Sequence, residues 1–246
     1  MIVPAYLGRP AYRLYQSAWN GLDWIYPPEC GGCGKPYTHW CTSCQGQTRI
    51  ILGMVCDVCG KMQEAAGKCL ACQASMPPFS ALRSWAVYSG PVRKAIHRLK
   101  YMGDIALGEV LSRPLIELVK QLSWKPDLMT PVPASLARRK RRGYNQASML
   151  ALPVALGCGI TYQPGALVKT KNTPTQVGLT AAERRDNVRG AFQARRHYVE
   201  GKSVLVVDDI STSGATIRAC ADALLRAGAR QVYGLTLARA VLENVV

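Results

Sequence analysis

Hydrophobic residues in the C-terminal two thirds of the chain form short continuous runs that alternate with longer segments of helical periodicity. The clearest run covers residues 204–207 and ends at two aspartates. A continuous aliphatic run is typical of a strand that is buried on both faces of a parallel sheet, and amphipathic segments between such runs are typical of covering helices. The pattern therefore predicts an α/β fold with a parallel sheet flanked by helices.

The periodicity also predicts where the elements lie. We expect strands at residues 82–88, 128–132, 166–169, 204–207 and 231–237. We expect helices at residues 92–99, 105–122, 146–156, 181–188 and 215–227. An additional N-terminal helix is predicted because apolar residues recur there at helical spacing, at Leu14, Ala18, Leu22 and Ile25. Its apolar face is expected to pack on the rest of the protein; a membrane-surface helix is the weaker alternative, since few basic residues lie on the polar face.

Length and composition fit one or two globular domains. The chain has 246 residues, of which 48% are hydrophobic and 19% charged, and this composition excludes general disorder. No apolar run reaches the roughly 20 residues that a membrane helix needs, and no apolar signal region follows the first arginines. We therefore expect a cytoplasmic protein that is at most peripheral to the inner membrane through partners.

Eight of the ten cysteines lie in a short segment that repeats itself. Each half reads C-x2-C-G-K, a spacer and C-x2-C-Q, and four thiolates complete a tetrahedral zinc site. The complete four-cysteine repeat favours two sequential sites over a cross-braced pairing. The predicted ligands are Cys30, Cys33, Cys41 and Cys44 in the first site and Cys56, Cys59, Cys69 and Cys72 in the second.

Disulfides and iron–sulfur clusters are the alternatives to zinc in this segment. Disulfides are disfavoured in a cytosolic chain, and a segment with few large apolar residues needs a stabilising metal. Because four thiolates leave no open coordination position, the two zinc ions are expected to be structural. His39 lies in the first spacer and is a weaker candidate ligand. The change in composition near Pro77 and Pro78 predicts a zinc-binding module over residues 1–78 and an α/β domain over residues 79–246.

The segment after the run at residues 204–207 carries the most specific chemistry. Asp208 and Asp209 stand at the carboxyl end of a predicted strand, where open α/β sheets bind ligands. Successive amides at the start of the next helix can hold a phosphate, and hydroxyls add further donors. The predicted phosphate-binding residues are Ser211, Thr212, Ser213, Gly214, Ala215 and Thr216. Two carboxylates beside this turn suit the hydroxyls of a ribose 5-phosphate; a plain acidic turn with a helix cap would explain only one Asp and one hydroxyl.

These residues resemble the type I phosphoribosyltransferases, and most of the chain resembles the ComF family, the competence-protein branch of that fold. The similar stretches, besides the cysteine repeat, lie at residues 88–93, 99–101, 131–133, 142–146 and 173–179, with Arg138, Arg184, Asn187, Val188, Gly190 and Phe192. Ser213 replaces a Thr that is frequent in the family turn and keeps its hydroxyl. Ser135 stands where a His is common in the family, so an acid–base role of that His is not expected in this chain.

The resemblance implies a ligand, a reaction and further site residues. The ligand is 5-phosphoribosyl 1-pyrophosphate (PRPP) with Mg²⁺, and the reaction is displacement of pyrophosphate by an acceptor that the sequence does not identify. Asp208 and Asp209 would be the catalytic pair. Arg138, Arg142 and Asn145 would belong to the pyrophosphate loop, and Lys169, Thr173 and Gln176 to a mobile lid. A solvated basic helix face and an ordinary surface loop are the simpler interpretations of these two segments.

Charge leaves a second class of function open. The formal net charge is +16, and +9 of it falls within residues 83–142. PRPP carries only a few phosphates, so the surplus leaves charge available for nucleic acid. The ComF resemblance implies a role in DNA uptake, and the alternative to an enzyme is a non-enzymatic zinc-stabilised module that binds single-stranded DNA or DNA-uptake proteins. Aromatic residues for base stacking are few, at 7%.

Overall fold

A computed structural model describes residues 10–171, 183, 187–188 and 190–241. The main strands are β1 (Ala81–Val87), β2 (Leu128–Pro131), β3 (Thr161–Tyr162), β6 (Ser203–Ser211) and β7 (Gln231–Arg239). They form one parallel sheet in the order β1-β7-β6-β2-β3. A separate antiparallel pair consists of β4 (Leu167–Lys169) and β5 (Phe192–Ala194). Strand β6, which carries the two aspartates, therefore lies at the centre of the sheet.

Helices cover both faces of this sheet. Those before β1 are α1 (Pro10–Asp23), α2 (Thr42–Gly46) and α3 (Leu70–Ala74). Those after it are α4 (Gly90–Tyr101), α5 (Leu107–Gln121), α6 (Leu136–Arg142), α7 (Gln146–Cys158), α8 (Arg196–Val199) and α9 (Ala215–Arg226). In β6, Val204 and Val206 belong to a core shared with α9, whereas Leu205 and Val207 belong to a core shared with α4, α5 and α7. This alternation is why the strand reads as a continuous aliphatic run, and it confirms the predicted α/β class.

Most predicted elements of the α/β part are present with bounds close to those expected. The strand predicted at residues 166–169 lies in the separate antiparallel pair with β5. Helix α6 agrees with the basic helix that was one of the two interpretations of this segment. The helix predicted at residues 181–188 lies largely outside the described residues.

The N-terminal helix is present, but the prediction of its buried face was wrong. Leu14 and Ile25 are 73% and 69% exposed, and Tyr12 is the fully buried residue. Tyr12 donates a hydrogen bond to the buried Glu109 of α5 at 3.1 Å, and Gln16 donates to the same carboxylate at 3.0 Å. A polar anchor on Glu109 therefore sets the orientation of α1, and hydrophobic periodicity does not detect such an anchor.

The cysteine-rich segment is joined to the α/β part by backbone hydrogen bonds along β1. Leu82 N donates to Val58 O at 2.7 Å, and Val87 N donates to Arg49 O at 2.8 Å. Residue Ile50 forms an antiparallel bridge with Ala86 at the outer edge of the sheet. The segment thereby covers an edge strand that would otherwise expose unpaired amide and carbonyl groups.

A helix that crosses a bilayer needs about 20 predominantly apolar residues. Within the described ranges, none of the helices combines the length and the apolarity that crossing a bilayer requires.

Candidate phosphoribosyl site and zinc centres

Two buried aspartates form the centre of the candidate site. Asp208 and Asp209 are 8% and 3% exposed, and Asp208 Oδ1 accepts a hydrogen bond from the Asp209 amide at 2.9 Å. Burial and the neighbouring carboxylate raise the pKa of Asp208 well above its usual value. Burial also disfavours ionisation of Asp209, but the ammonium of Lys100 outweighs it and lowers the pKa of Asp209. Lys100 was not among the site residues predicted from the sequence. Its Nζ lies 2.5 Å from Asp209 Oδ2.

The turn that follows β6 has the local structure of an anion-binding loop. Gly214 has φ +76°, a left-handed conformation that favours glycine, and it is the residue immediately before α9. The first amides of α9 have no intrahelical carbonyl partner and lie at the positive end of the helix. Ser211 is 3% exposed, and its hydroxyl oxygen has no hydrogen-bond partner among the described residues. A buried hydroxyl without a partner is costly, which fits a site that is completed by a ligand.

The segment after β2 brings cations towards the same end of the sheet. Ser135 accepts a hydrogen bond from the Arg138 amide and so begins α6. Of the five consecutive cations, Arg138 and Arg142 are the two half-buried members, and the other three are exposed. Arg142 donates to Gln146 Oε1 at 2.7 Å, and its buried Nε has no hydrogen-bond partner in the part of the chain that the structure describes. One face of α6 is thus directed into the protein and the other towards solvent.

Asn145 has a structural role in the described chain. Its Oδ1 accepts from the Ala147 amide at 3.3 Å and caps α7, and its Nδ2 donates to Val132 O at 2.9 Å. These bonds fix the turn between α6 and α7 against the end of β2. A contact between Asn145 and a ligand stays a prediction.

Lys169 is the described residue of the predicted lid. Burial lowers the pKa of Lys169, the charge of Arg138 lowers it further, and Asp208 acts in the opposite direction. Lys169 therefore lies close enough to Arg138 and Asp208 for their charges to act on it. Thr173 and Gln176, the other predicted lid residues, lie outside the described residues.

A signal for Lys100 was present in the sequence. Val92, Ile96 and Lys100 are four residues apart and so share one face of α4, and the first two are fully buried. A lysine at the end of a buried helical face needs a partner for its charge. The sequence did not reveal which carboxylate that partner would be, because α4 and β6 are more than 100 residues apart.

The eight cysteines form two groups, in the sequential pairing predicted from the repeat. Within each group the sulfur atoms all lie within 4.8 Å of one another, and the groups are Cys30, Cys33, Cys41 and Cys44, and Cys56, Cys59, Cys69 and Cys72. Burial raises the pKa of Cys56, but amides of Cys69, Cys59 and Val58 outweigh it and lower that pKa to about 6. Four soft thiolate donors at this spacing fit tetrahedral Zn²⁺. His39 bonds Asp23 at 2.9 Å and belongs to neither group.

The two zinc centres have different neighbours. The first cysteine group forms a small cluster with Trp40. In the second group, Cys56 and Cys72 belong to the core that also contains Ile217 of α9. Arg239, at the end of β7, is 7% exposed and donates to Cys59 O at 2.8 Å. The second centre is therefore continuous with the helix that begins at the phosphate-binding turn.

A direct chain of contacts links the second centre to that turn. Gly60 lies so close to β1 that a Cβ on it would stand 2.3 Å from Leu82 O. The Leu82 side chain in turn lies 3.7 Å from where a Cβ of Gly214 would be. A displacement of the second cysteine group at Gly60 would therefore be transmitted to the phosphate-binding turn through one residue, Leu82.

Comparison with known proteins agrees with both parts of the chain. A family model described as "Double zinc ribbon domain" matches residues 21–73, and one described as "Phosphoribosyl transferase domain" matches residues 142–240. The first match supports zinc over iron–sulfur clusters or disulfides. The second contains the aspartate pair and the phosphate-binding turn, whereas Lys100 and Arg138 precede it.

Curated relatives match most of the chain. The "DNA utilization protein YhgH" of Escherichia coli is 31% identical over 87% of this chain and 97% of its own length. The "Competence protein F" of Haemophilus influenzae is 29% identical over 81% of this chain and 90% of its own. The "Competence protein ComFC" of Bacillus subtilis is 27% identical over 83% of this chain and 86% of its own.

Proposed function

The chain belongs to the ComF family, and from that membership we propose that it binds PRPP at the end of β6 and transfers the phosphoribosyl group to an acceptor. The observation that carries the proposal is the buried pair Asp208 and Asp209 directly before a turn with a left-handed Gly214. In the described ranges, the Ser211 hydroxyl of this turn also has no hydrogen-bond partner. Carboxylates accept hydrogen bonds from ribose hydroxyls, and helix amides donate to a phosphate. Free phosphate would use the helix amides but not the carboxylates.

In this proposal the residues of the chain act by positioning and by charge. The turn from Ser211 to Thr216 holds the 5-phosphate, and Asp208 and Asp209 hold the ribose. The bond from C1 to pyrophosphate breaks as the bond from C1 to the acceptor forms, and the electron pair leaves with pyrophosphate. Arg138, Arg142 and Lys169 are cations that can balance that charge.

Mg²⁺ is the metal that the family resemblance implies. Carboxylate oxygens are suitable donors for Mg²⁺, but Asp209 Oδ2 already contacts the Lys100 ammonium at 2.5 Å. The acidic pair of the protein alone therefore does not fit a metal ion, and we expect Mg²⁺ to arrive on the pyrophosphate oxygens of the ligand. The acceptor is not defined by the described residues.

Titration calorimetry with PRPP tests the binding part of the proposal. Wild-type protein is expected to release or absorb heat at a single site, and ribose 5-phosphate is expected to compete. Gly214→Val should abolish binding, because a β-branched residue is strained at φ +76°. Gly53→Val is the matched control, since Gly53 also has positive φ, at +84°, but lies in the cysteine-rich segment. Absence of binding by the wild type, or equal binding by both variants, would contradict the proposal.

Binding of single-stranded DNA is a second candidate function, favoured by one surface feature. Tyr101 is 58% exposed, its ring centroid lies 4.8 Å from that of His97, and the Arg142 guanidinium carbon lies 4.9 Å from it. An exposed aromatic ring beside a cation is a platform on which a base can stack. The exposed cations of α6 continue this surface, and the names of the relatives refer to competence and DNA utilization.

The DNA hypothesis predicts a steep dependence on salt. If about six phosphates are contacted, affinity for a single strand should fall roughly several hundredfold between 50 and 200 mM salt. Tyr101→Ala should weaken binding at fixed salt about tenfold through loss of stacking. Tyr37→Ala is the control, because Tyr37 is 82% exposed in the first zinc ribbon. Fluorescence anisotropy with a labelled oligonucleotide measures both effects, and equal loss in the two variants would refute the Tyr101 platform.

A further inference from the structure

Lys100 is held rigidly against the acidic pair. It lies in the last turn of α4, whose inner face is fixed by the fully buried Val92, Ile96 and Leu99. The Tyr144 hydroxyl donates to Leu99 O and ties the end of α4 to the turn after α6. The Lys100 side chain is 19% exposed, and its Nζ lies 2.5 Å from Asp209 Oδ2. The ammonium is therefore part of the site and is not a mobile surface charge.

A divalent cation bound to Asp209 Oδ2 would need the position that the Lys100 ammonium occupies. Magnesium and calcium ions bind carboxylate oxygens at about 2.0 to 2.6 Å. The Lys100 nitrogen stands at that separation from Oδ2, so an ion and the ammonium cannot both be there. The ammonium also removes part of the negative charge that would attract a metal to two adjacent carboxylates.

We propose that Lys100 is an internal counter-cation that takes the place of a divalent metal ion at the acidic pair. Removal of its charge converts Asp208 and Asp209 into a divalent-cation site, and its presence restricts metal to the pyrophosphate of the bound ligand. Lys100 acts here as a positioning residue, since it keeps Asp209 ionised and directed. The role in ligand binding rests on the proposed function, whereas the metal exclusion is a property of the protein alone.

The geometry supports this role over simple helix stabilisation. Burial opposes the charge of Lys100, yet Asp209 and Asp208 together raise its pKa, so the ammonium form is favoured in place. A helix that needed only a cation in its last turn already has Arg98, which contacts Asp104 at 2.9 Å. Lys100 precedes the matched phosphoribosyltransferase segment, so this cation is supplied by a part of the chain outside that segment.

Binding of Mn²⁺ in the absence of PRPP tests the proposal. Zinc-loaded wild type and three variants are titrated with Mn²⁺ and followed by electron paramagnetic resonance of the free ion. Lys100→Met keeps the side-chain length without the charge, and Lys100→Arg keeps the charge. Lys94→Met removes an exposed lysine of the same helix. We expect Lys100→Met to gain one Mn²⁺ site at least tenfold tighter than any in the other three proteins, and Asp209→Asn in the same chain to remove it.

The outcomes separate this proposal from the function itself. A wild-type Mn²⁺ site that Asp209→Asn abolishes would overturn the proposal, even if Lys100→Met failed to fold. A folded Lys100→Met protein without a new site would overturn it as well. If the Mn²⁺ results are as expected and PRPP does not bind the wild type, the metal exclusion stands and the proposed function fails alone.

Discussion

Replacement of Cys72 by serine is expected to remove one zinc ion, strongly destabilise the whole α/β domain and abolish phosphoribosyl binding. Cys72 shares a core with Cys56 and with residues of α9, and Arg239 and Leu82 link this centre to the sheet and the turn. A structural zinc site contributes about 10 to 16 kcal/mol in model peptides, which is comparable to the about 5 to 15 kcal/mol that stabilises a typical domain. Metal analysis, urea unfolding and calorimetry with PRPP measure the three effects.

The first zinc centre provides the matched control. Cys44→Ser removes the corresponding ligand of the first group, which among the described residues clusters with Trp40 and not with the core that contains α9. We expect it also to lower the zinc content from about two ions to one, but with a smaller loss of stability and with PRPP binding retained. Equal effects of the two substitutions would show that the second centre has no special link to the ligand site.

Replacement of Asp208 by asparagine is expected to weaken PRPP binding about a hundredfold without loss of stability. Hydrogen bonds to a charged group contribute about 1.5 to 3 kcal/mol, and a hundredfold corresponds to about 2.7 kcal/mol. The pKa of Asp208 is raised in the folded state, so its ionisation opposes folding as the pH rises above the unfolded pKa. At pH 7 the neutral amide removes that cost, and the free energy of unfolding should be unchanged or higher.

Asp209→Asn should differ from Asp208→Asn in its stability. The pKa of Asp209 is lowered by Lys100, so this carboxylate contributes stability above its unfolded pKa, and that contribution is lost as the pH falls through the folded pKa. The substitution leaves Lys100 without its ion-pair partner. Breaking a buried pair costs about 3 to 5 kcal/mol, and partial exposure of Lys100 makes the expected cost smaller. Calorimetry and urea unfolding at pH 7 check both variants; Asp208→Asn as the more destabilised of the two would contradict this assignment.

Much of the fold could be predicted because its signals are local. The aliphatic run of β6 and the cysteine repeat each lie within a short stretch, and the repeat favoured the sequential pairing that the structure shows. The buried face of α1 could not be predicted, because Glu109, which anchors Tyr12, is 97 residues away. The prediction treated Leu14 and Ile25 as core residues, although a polar contact orients the helix.

The candidate site also combines residues that the sequence could reveal with residues that it could not. The aspartate pair and the phosphate-binding turn are contiguous in sequence and could be recognised together. Lys100 comes to the same site from α4, and only the three-dimensional structure brings the two together. The link from the second zinc centre to Gly214 through Leu82 is equally non-local.

A crystal structure of the zinc-loaded protein with PRPP and Mg²⁺ tests the central claim most directly. We predict the 5-phosphate on the amides that follow Ser211, the ribose hydroxyls on Asp208 and Asp209, and Mg²⁺ on pyrophosphate oxygens with Lys100 still beside the acidic pair. PRPP bound elsewhere, or a turn that stays empty at saturating ligand, would contradict the account.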